Sequence, residues 1–228
     1  MRTAAATLLR PIVRTMPWRA ITAAGTLGLL LAAAPRLTGD DADARLALNA
    51  LRASAVAFAL GAAFVLDDPA RHTTAAVPTR RAVRHGLRVL LVVPVAAVWW
   101  TAALLLVPGP VRPPAAGITL EAATVLALAL TGAALAVHRG DRARPGQAVA
   151  GFLLVGSVLG PLLIPGSWAL FTTPDDVRWA AAHDRWAVLL CAAVVVGAAC
   201  ATEPRRRLTL RGFRGLRSPS GTSGPSRT

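Results

Sequence analysis

The chain has 228 residues, of which 54% are hydrophobic, and its net charge of +14 rests on arginine alone because no lysine is present. With a mean hydropathy of +0.53, this composition is too apolar for an ordinary soluble domain and predicts a membrane protein. The missing lysine also excludes the G-x-x-x-x-G-K-[ST] loop of P-loop ATPases. The arginines flank apolar runs and are not interleaved with aromatics, which argues against nucleic-acid binding.

The chain begins with a basic leader. Residues 1–18 set Arg2, Arg10 and Arg14 among apolar side chains, a pattern that fits an amphipathic helix in the membrane interface and fits a loose leader equally well. The first apolar run, residues 20–34, is short for a span, which needs about 20 residues. Its end resembles a signal-peptide cleavage site, but the long leader and Pro35 favour an uncleaved helix.

Two charged residues lie within the apolar runs that follow. Arg52 falls inside the second run, where an arginine costs at least about 2.5 kcal/mol, and Glu121 falls near the start of the fourth. Similar depth in neighbouring helices predicts that they pair. Simple snorkelling of Arg52 and a role in a substrate path are the alternatives. The five later runs are residues 46–66, 89–107, 118–137, 147–164 and 186–201.

The later runs carry weaker signals. Trp99 and Trp100 lie too deep for an interface and predict helix packing, while Gly156 and Gly160 form a G-x-x-x-G pattern that lets helices approach. Cys191 and Cys200 fall on opposite faces of the last helix, which favours apolar filling over a disulfide or metal pair. Residues 165–186 mix three tryptophans with three aspartates and predict an interfacial, helical lid.

The arginine-rich loop of residues 67–88 joins the second and third runs. Asp68 and Pro69 form a helix-start signal, and Pro78 disfavours helix at the residue before it. A separate short helix over residues 69–76 is therefore predicted, with the next helix starting near Thr79. Spacings of three and four residues place four arginines on one face of that next helix: Arg80, Arg81, Arg84 and Arg88.

The charge distribution predicts the topology. With six spans, 19 of the 25 arginines fall in the two termini and in the loops 67–88 and 138–146, while most acids lie on the opposite side. The positive-inside rule then places both termini in the cytoplasm. We therefore predict an all-α integral membrane protein with six transmembrane helices, comprising a leader (1–18), a membrane domain (19–204) and a basic, largely disordered tail (205–228).

Catalytic motifs are missing from the sequence. The four histidines are scattered, and no H-E-x-x-H, C-x-x-C or G-x-S-x-G pattern occurs. Asp67 and Asp68 form an acidic pair that is better explained as a helix cap than as a metal site. We therefore predict no enzyme activity, no cofactor and no metal.

This layout resembles the membrane subunits of ATP-binding-cassette transporters of the type-2 exporter class. Residues 5–18 correspond to their interfacial helix, residues 69–76 to the coupling helix, and residues 165–186 to an extracellular helical segment before the last span. The acidic start of the loop and its Pro-small-Arg element correspond to Asp67 and Asp68 and to Pro78, Thr79, Arg80 and Arg81.

The resemblance implies a partner and a place. A separate ATPase subunit would bind the cytoplasmic face, two permeases would pair, and the protein would lie in the inner or plasma membrane. No charged residue lies at mid-bilayer to indicate that the substrate is an ion. This favours an amphiphile, a lipid or a drug as the substrate. The residues implied in contact with the ATPase are Asp67, Asp68, Pro69, Arg71, Arg80, Arg81 and Arg84.

A second interpretation belongs to another class. The chain would be a non-transporting scaffold or regulator whose basic loops and tail bind anionic lipid or a cytoplasmic partner. A membrane enzyme is a third and weaker interpretation, because the polar catalytic set is missing. An ATPase encoded next to this chain would favour transport.

Overall fold

The computed structural model describes residues 13–14, 16–39, 43–67, 81–139, 145–163, 165 and 168–201. The predicted coupling helix, the tail and most of the leader lie outside these residues. The described chain folds into six long helices: α1 (Trp18–Leu37), α2 (Ala44–Ala63), α3 (Arg81–Leu106), α4 (Ala115–Arg139), α5 (Pro145–Leu163) and α6 (Trp179–Ala201).

All six helices are long and apolar enough to cross a membrane, with apolar spans of 18 to 24 residues. A helix satisfies its backbone hydrogen bonds internally, which is what a hydrocarbon environment demands. The chain is therefore an all-α, multi-pass membrane protein, as the apolar runs predicted. Following the orientation predicted from charge, we call the helix ends next to residues 67–88 the inner ends.

α1 is longer than its apolar run indicated. α1 continues through Pro35 to Leu37 and so reaches the length of a full span. In its last turn, Arg36 donates from Nε to the carbonyl of Leu106 and from Nη2 to that of Leu105, at 3.0 Å for the latter. The guanidinium thus satisfies carbonyls at the end of α3, where the helix dipole favours a cation.

The predicted lid over residues 165–186 is only partly correct. α6 begins at Trp179, so residues 179–185 form its first turns, and the described residues 168–178 form turns and a short 3-10 stretch instead of a helix. Asp176 directs this turn, because its carboxylate accepts hydrogen bonds from the backbone and side chain of Arg178. The same bonds hold the pKa of the Asp176 carboxyl below its ordinary value.

α2 and α4 form the centre of the bundle. About two thirds of the apolar window of α2 is buried, against 11% for α5 and for α6. α1 packs along α2, and α6 packs along α4, while α3 lies against α1 and α2. α5 contacts only α2 and α4 extensively, which makes it a peripheral helix in this chain.

Tryptophan packing holds α1, α2 and α3 together, as predicted for Trp99 and Trp100. The ring of Trp99 stacks on Phe58 at 4.3 Å between centroids, and its Nε1 donates to the carbonyl of Gly25 at 2.9 Å. A Cβ at Gly28 would overlap this ring, so the close approach of α1 requires glycine there. Trp100 is buried and donates to Thr119 Oγ1 at 3.0 Å.

In the part of the chain that the structure describes, the G-x-x-x-G pattern of α5 mediates no helix packing. A Cβ added at Gly156 would meet no atom within 4 Å, and one at Gly160 would approach only Phe171, at 3.7 Å. Cys191 is exposed and Cys200 is partly exposed, and both are free thiols. The expectation that the cysteines fill apolar space in the interior is wrong for Cys191.

Candidate functional site

An ion pair lies inside the membrane domain, between α2 and α4. Arg52 Nε donates to Glu121 Oε2 at 2.7 Å, and Nη2 donates to Oε1 at 2.8 Å. The two side chains are only 13% and 4% exposed. This is the pair expected from depth, and its two-bond geometry is the strongest arrangement available to an arginine and a carboxylate.

A histidine completes the cluster from α6. His183 Nδ1 lies 2.8 Å from the carbonyl of Trp179, which fixes the proton on Nδ1. The other ring nitrogen, Nε2, is buried, lies 3.5 Å from Glu121 Oε1 and has no hydrogen-bond partner among the described residues.

The stretch before α6, residues 168–178, covers this cluster and is called the outer segment below. Arg52 Nη2 also donates to the carbonyl of Thr172 at 2.9 Å, and its guanidinium carbon lies 5.5 Å from the ring centroid of Phe171. The segment is attached to α6 in turn: Arg185 donates to Ala169 O at 3.0 Å, and Trp186 Nε1 donates to Leu170 O at 2.9 Å. Arg52 thus joins α2, α4 and the outer segment in one polar network.

This network is suited to holding helices in place. The charges of Arg52 and Glu121 compensate each other, and each carboxylate oxygen accepts a bond from the guanidinium. Buried ion pairs of this kind are costly to break because the remaining charge is left unpaired. In the part of the chain that the structure describes, no group of three histidines, cysteines or carboxylates could hold a metal ion.

A second polar site lies at the inner ends of α2, α3 and α5. Asp67 follows the 3-10 turn Phe64–Leu66 at the end of α2, and its Oδ1 accepts from the backbone N–H of Gly146 at 2.8 Å. Gly146 belongs to the first turn of α5, where backbone N–H groups have no partner within the helix and the dipole favours an anion. Asp67 therefore caps α5 from the end of another helix.

The start of α5 approaches the end of α2 closely. A Cβ at Gly146 would lie 2.8 Å from Phe64 Cδ1 and 3.0 Å from the carbonyl oxygen of Ala63. Only glycine fits this contact without a shift of one helix. The cap and the glycine together fix the inner end of α5 to α2.

Arg88 ties α3 to the same place. Its side chain is buried, and Nη1 donates to the carbonyl of Val65 at 3.2 Å and, more weakly, to that of Asp67 at 3.4 Å. These are carbonyls at a helix C-terminus, which a cation satisfies. Both ends of the 67–88 loop are thus attached to the membrane domain.

Of the residues predicted to contact an ATPase, Asp67 alone has a described side chain. Arg81 and Arg84 lie in the first turn of α3 as far as the backbone shows. Asp68, Pro69, Arg71 and Arg80 lie outside the described residues.

Two clefts flank α5. A groove of about 650 Å³ lies between α1, α2 and α5, and a smaller apolar cavity of about 200 Å³ lies between α2, α4, α5 and α6. Phe171 and Arg52 line both of them. α5 is therefore separated from much of the bundle by open space on two sides.

Sequence reasoning missed His183, Gly146 and Arg88 as members of these sites. His183 was assigned to the outer lid, but a helix start at Trp179 places it about 6 Å into α6 at 1.5 Å per residue. Extending the helix through its polar first turns would have put it at a depth near that of Glu121. The contact of Asp67 with Gly146 joins residues 79 apart, and no local pattern marks it.

Comparison with known protein families, curated proteins and solved structures found no match to this chain.

Proposed function

We propose that this chain is the membrane-spanning subunit of an ABC-type exporter in the inner or plasma membrane. A separate ATPase would act on the 67–88 loop, and two membrane subunits would pair. The observation that best supports this is the cap from Asp67 to Gly146, because it connects the start of that loop to α5, a peripheral helix with clefts on two sides.

The attachments of the loop define where a force on it would go. At its start, Asp67 is joined to the ends of α2 and α5; at its end, Arg88 joins α3 to the C-terminal carbonyls of α2. A displacement of the loop by an ATPase would therefore reach α2, α3 and α5 directly. No flexible spacer lies between Asp67 and the first turn of α5.

α5 is the helix best placed to move. Its apolar window is 11% buried, and clefts lie on both of its sides. By contrast, α2 and α4 are joined by the two-bond contact of Arg52 with Glu121 and form the fixed core. ATP-driven movement of α5 against this core would change the groove between α1, α2 and α5. ATP binding can drive this movement only through contacts that differ between the two positions of α5.

The test requires a candidate ATPase, which is sought among the genes next to the one for this chain. The two proteins are co-expressed and purified, and ATP hydrolysis is measured after reconstitution in lipid vesicles. Replacing residues 69–76 with a Gly/Ser segment of equal length should abolish the stimulation of hydrolysis. The matched control replaces residues 219–226 in the tail and should leave it intact.

Two outcomes oppose transport. A chain that never co-purifies with the ATPase would favour the scaffold or regulatory interpretation. So would a 69–76 variant whose association and hydrolysis are unchanged.

A further inference from the structure

We propose that the groove between α1, α2 and α5 is a binding site for an anionic phospholipid drawn from the outer half of the bilayer. The groove has a polar outer end on α2 and an apolar remainder. Its volume of about 650 Å³ lies within the range of about 300–1,000 Å³ that is usual for ligand sites. The apolar walls include Leu27, Leu31, Val56, Leu60, Leu154 and Pro161.

The outer end of the groove presents the positive charge of Arg45. Arg45 and Asn49 are one turn apart on α2, and both are exposed in the groove. Among the described residues that line the groove, none is a carboxylate. Asp43, the cap of this helix, accepts a hydrogen bond from the backbone N–H of Arg45 and is not among the residues that line the groove.

Arg52, deeper in the same groove, has a different role. It is already bonded to Glu121 and to the carbonyl of Thr172, so its charge is compensated within the protein. The guanidinium left to bind an anion is therefore that of Arg45. An arginine fork matches two phosphate oxygens, and the Asn49 amide supplies further donors beside it.

The shape of the groove selects an occupant with an acyl chain. From Arg45 to Leu60 the groove follows α2 for about 22 Å, at 1.5 Å per residue, within a hydrocarbon core about 30 Å thick. Apart from Arg52, Ser157 and Thr173, the walls beyond Asn49 are apolar. A head group at Arg45 with a chain passing Val56 would reach the middle of the bilayer.

The position of the groove identifies its source of ligand. Its walls are membrane-spanning helices, and α1 and α5 make no substantial contact that would close it toward the lipid. A bilayer lipid can therefore enter sideways with its chains remaining in hydrocarbon. This binding does not depend on the proposed ATPase partner and would hold equally for a non-transporting protein.

The test is a lipid titration of the purified full-length chain, followed by native mass spectrometry. Phosphatidylglycerol and phosphatidylcholine with identical acyl chains are compared. The wild type should bind phosphatidylglycerol preferentially, and Arg45→Gln should weaken that binding by about tenfold, as expected for loss of one charge-assisted hydrogen bond. Arg19→Gln, at an exposed arginine of α1 outside the groove, should leave it unchanged.

A second pair of variants tests the apolar part. Ala53 is exposed in the groove, so Ala53→Trp should fill it and reduce binding of both lipids. Ala192→Trp, at an exposed position of α6 away from the groove, is the matched control and should bind like the wild type. All four positions are exposed, and gel-filtration profiles check that the variants fold.

Three results would overturn the proposal. The first is an undiminished preference for phosphatidylglycerol in Arg45→Gln. The second is equal binding by Ala53→Trp and Ala192→Trp. The third is loss of the preference when residues 205–228 are removed, which would assign lipid binding to the basic tail.

Discussion

Arg52 is tolerated in the membrane domain because its charge is matched at close range. An unpaired arginine in a bilayer costs several kcal/mol, but here Glu121 accepts two of its hydrogen bonds and Thr172 accepts a third. The same bonds make the residue a structural centre, since they connect α2, α4 and the outer segment. Removing either partner alone leaves a buried charge.

The close match of charge between Arg52 and Glu121 predicts the effect of single and double substitutions. Arg52→Ala should lower the stability of the purified protein by about 3–5 kcal/mol, the usual result of breaking a buried pair, and should reduce the folded yield. Adding Glu121→Gln should restore most of that loss, because the orphaned carboxylate is then neutral. Thermal unfolding in detergent, followed by gel filtration, measures both effects.

Arg19→Ala is the control for this cycle, because Arg19 is exposed at the inner end of α1. This substitution should change the midpoint temperature of thermal unfolding little. The pair would carry no coupling energy if Arg52→Ala lowered stability no more than Arg19→Ala. The same would follow if the stability loss of the double variant equalled the sum of the losses of its single variants.

The pairing of Arg52 with Glu121 was predictable from the sequence, but the place of His183 beside them was not. Arg52 and Glu121 stand alone in apolar runs, so their depth could be compared directly. His183 is accompanied by Asp184 and Arg185, and this polarity hides the fact that the helix has already begun. A helix start depends on backbone hydrogen bonding, which continues through polar residues wherever they lie near the membrane surface.

At the scale of elements, α5 is held at one end and loose along its length. Asp67 and Gly146 fasten its inner end, whereas its middle faces two clefts. A helix cap of this kind is worth about 1 kcal/mol. That is enough to change local opening without unfolding the bundle.

Removing the cap should therefore loosen α5 selectively. Asp67→Ala should speed hydrogen exchange of residues 146–149 by about fivefold, which corresponds to about 1 kcal/mol. Peptides from α2 and α4 should exchange as in the wild type. Hydrogen–deuterium exchange with mass spectrometry on the purified chain gives both readings.

Asp67→Asn is the matched variant, since its amide oxygen can still accept from Gly146 while the charge is lost. The exchange rate of residues 146–149 in Asp67→Asn should lie between that of the wild type and that of Asp67→Ala. Exchange that rises equally throughout the bundle in Asp67→Ala would show that the residue supports global stability instead of α5.

For the whole molecule, the number of spans was readable from the sequence, but the arrangement of the helices was not. All six runs are apolar enough for lipid, so hydropathy does not rank them by burial. The central place of α2 has a physical cause that can be stated afterwards. Arg52 must face the interior, and the many alanines of α2 let neighbouring helices approach closely.

The orientation of the molecule is a prediction from charge that can be tested in intact cells. In a background with Cys191→Ala and Cys200→Ala, a membrane-impermeant maleimide should not label Thr74→Cys until the cells are opened. It should label Val177→Cys at once, because Val177 is almost fully exposed in the outer segment and the positive-inside rule places that segment outside. The cysteine-free background is the control for unspecific labelling. Labelling of Thr74→Cys in intact cells would show that the topology is the reverse of the predicted one. The 67–88 loop would then lie beyond the reach of a cytoplasmic ATPase, and the Arg45 end of the groove would lie in the inner half of the bilayer.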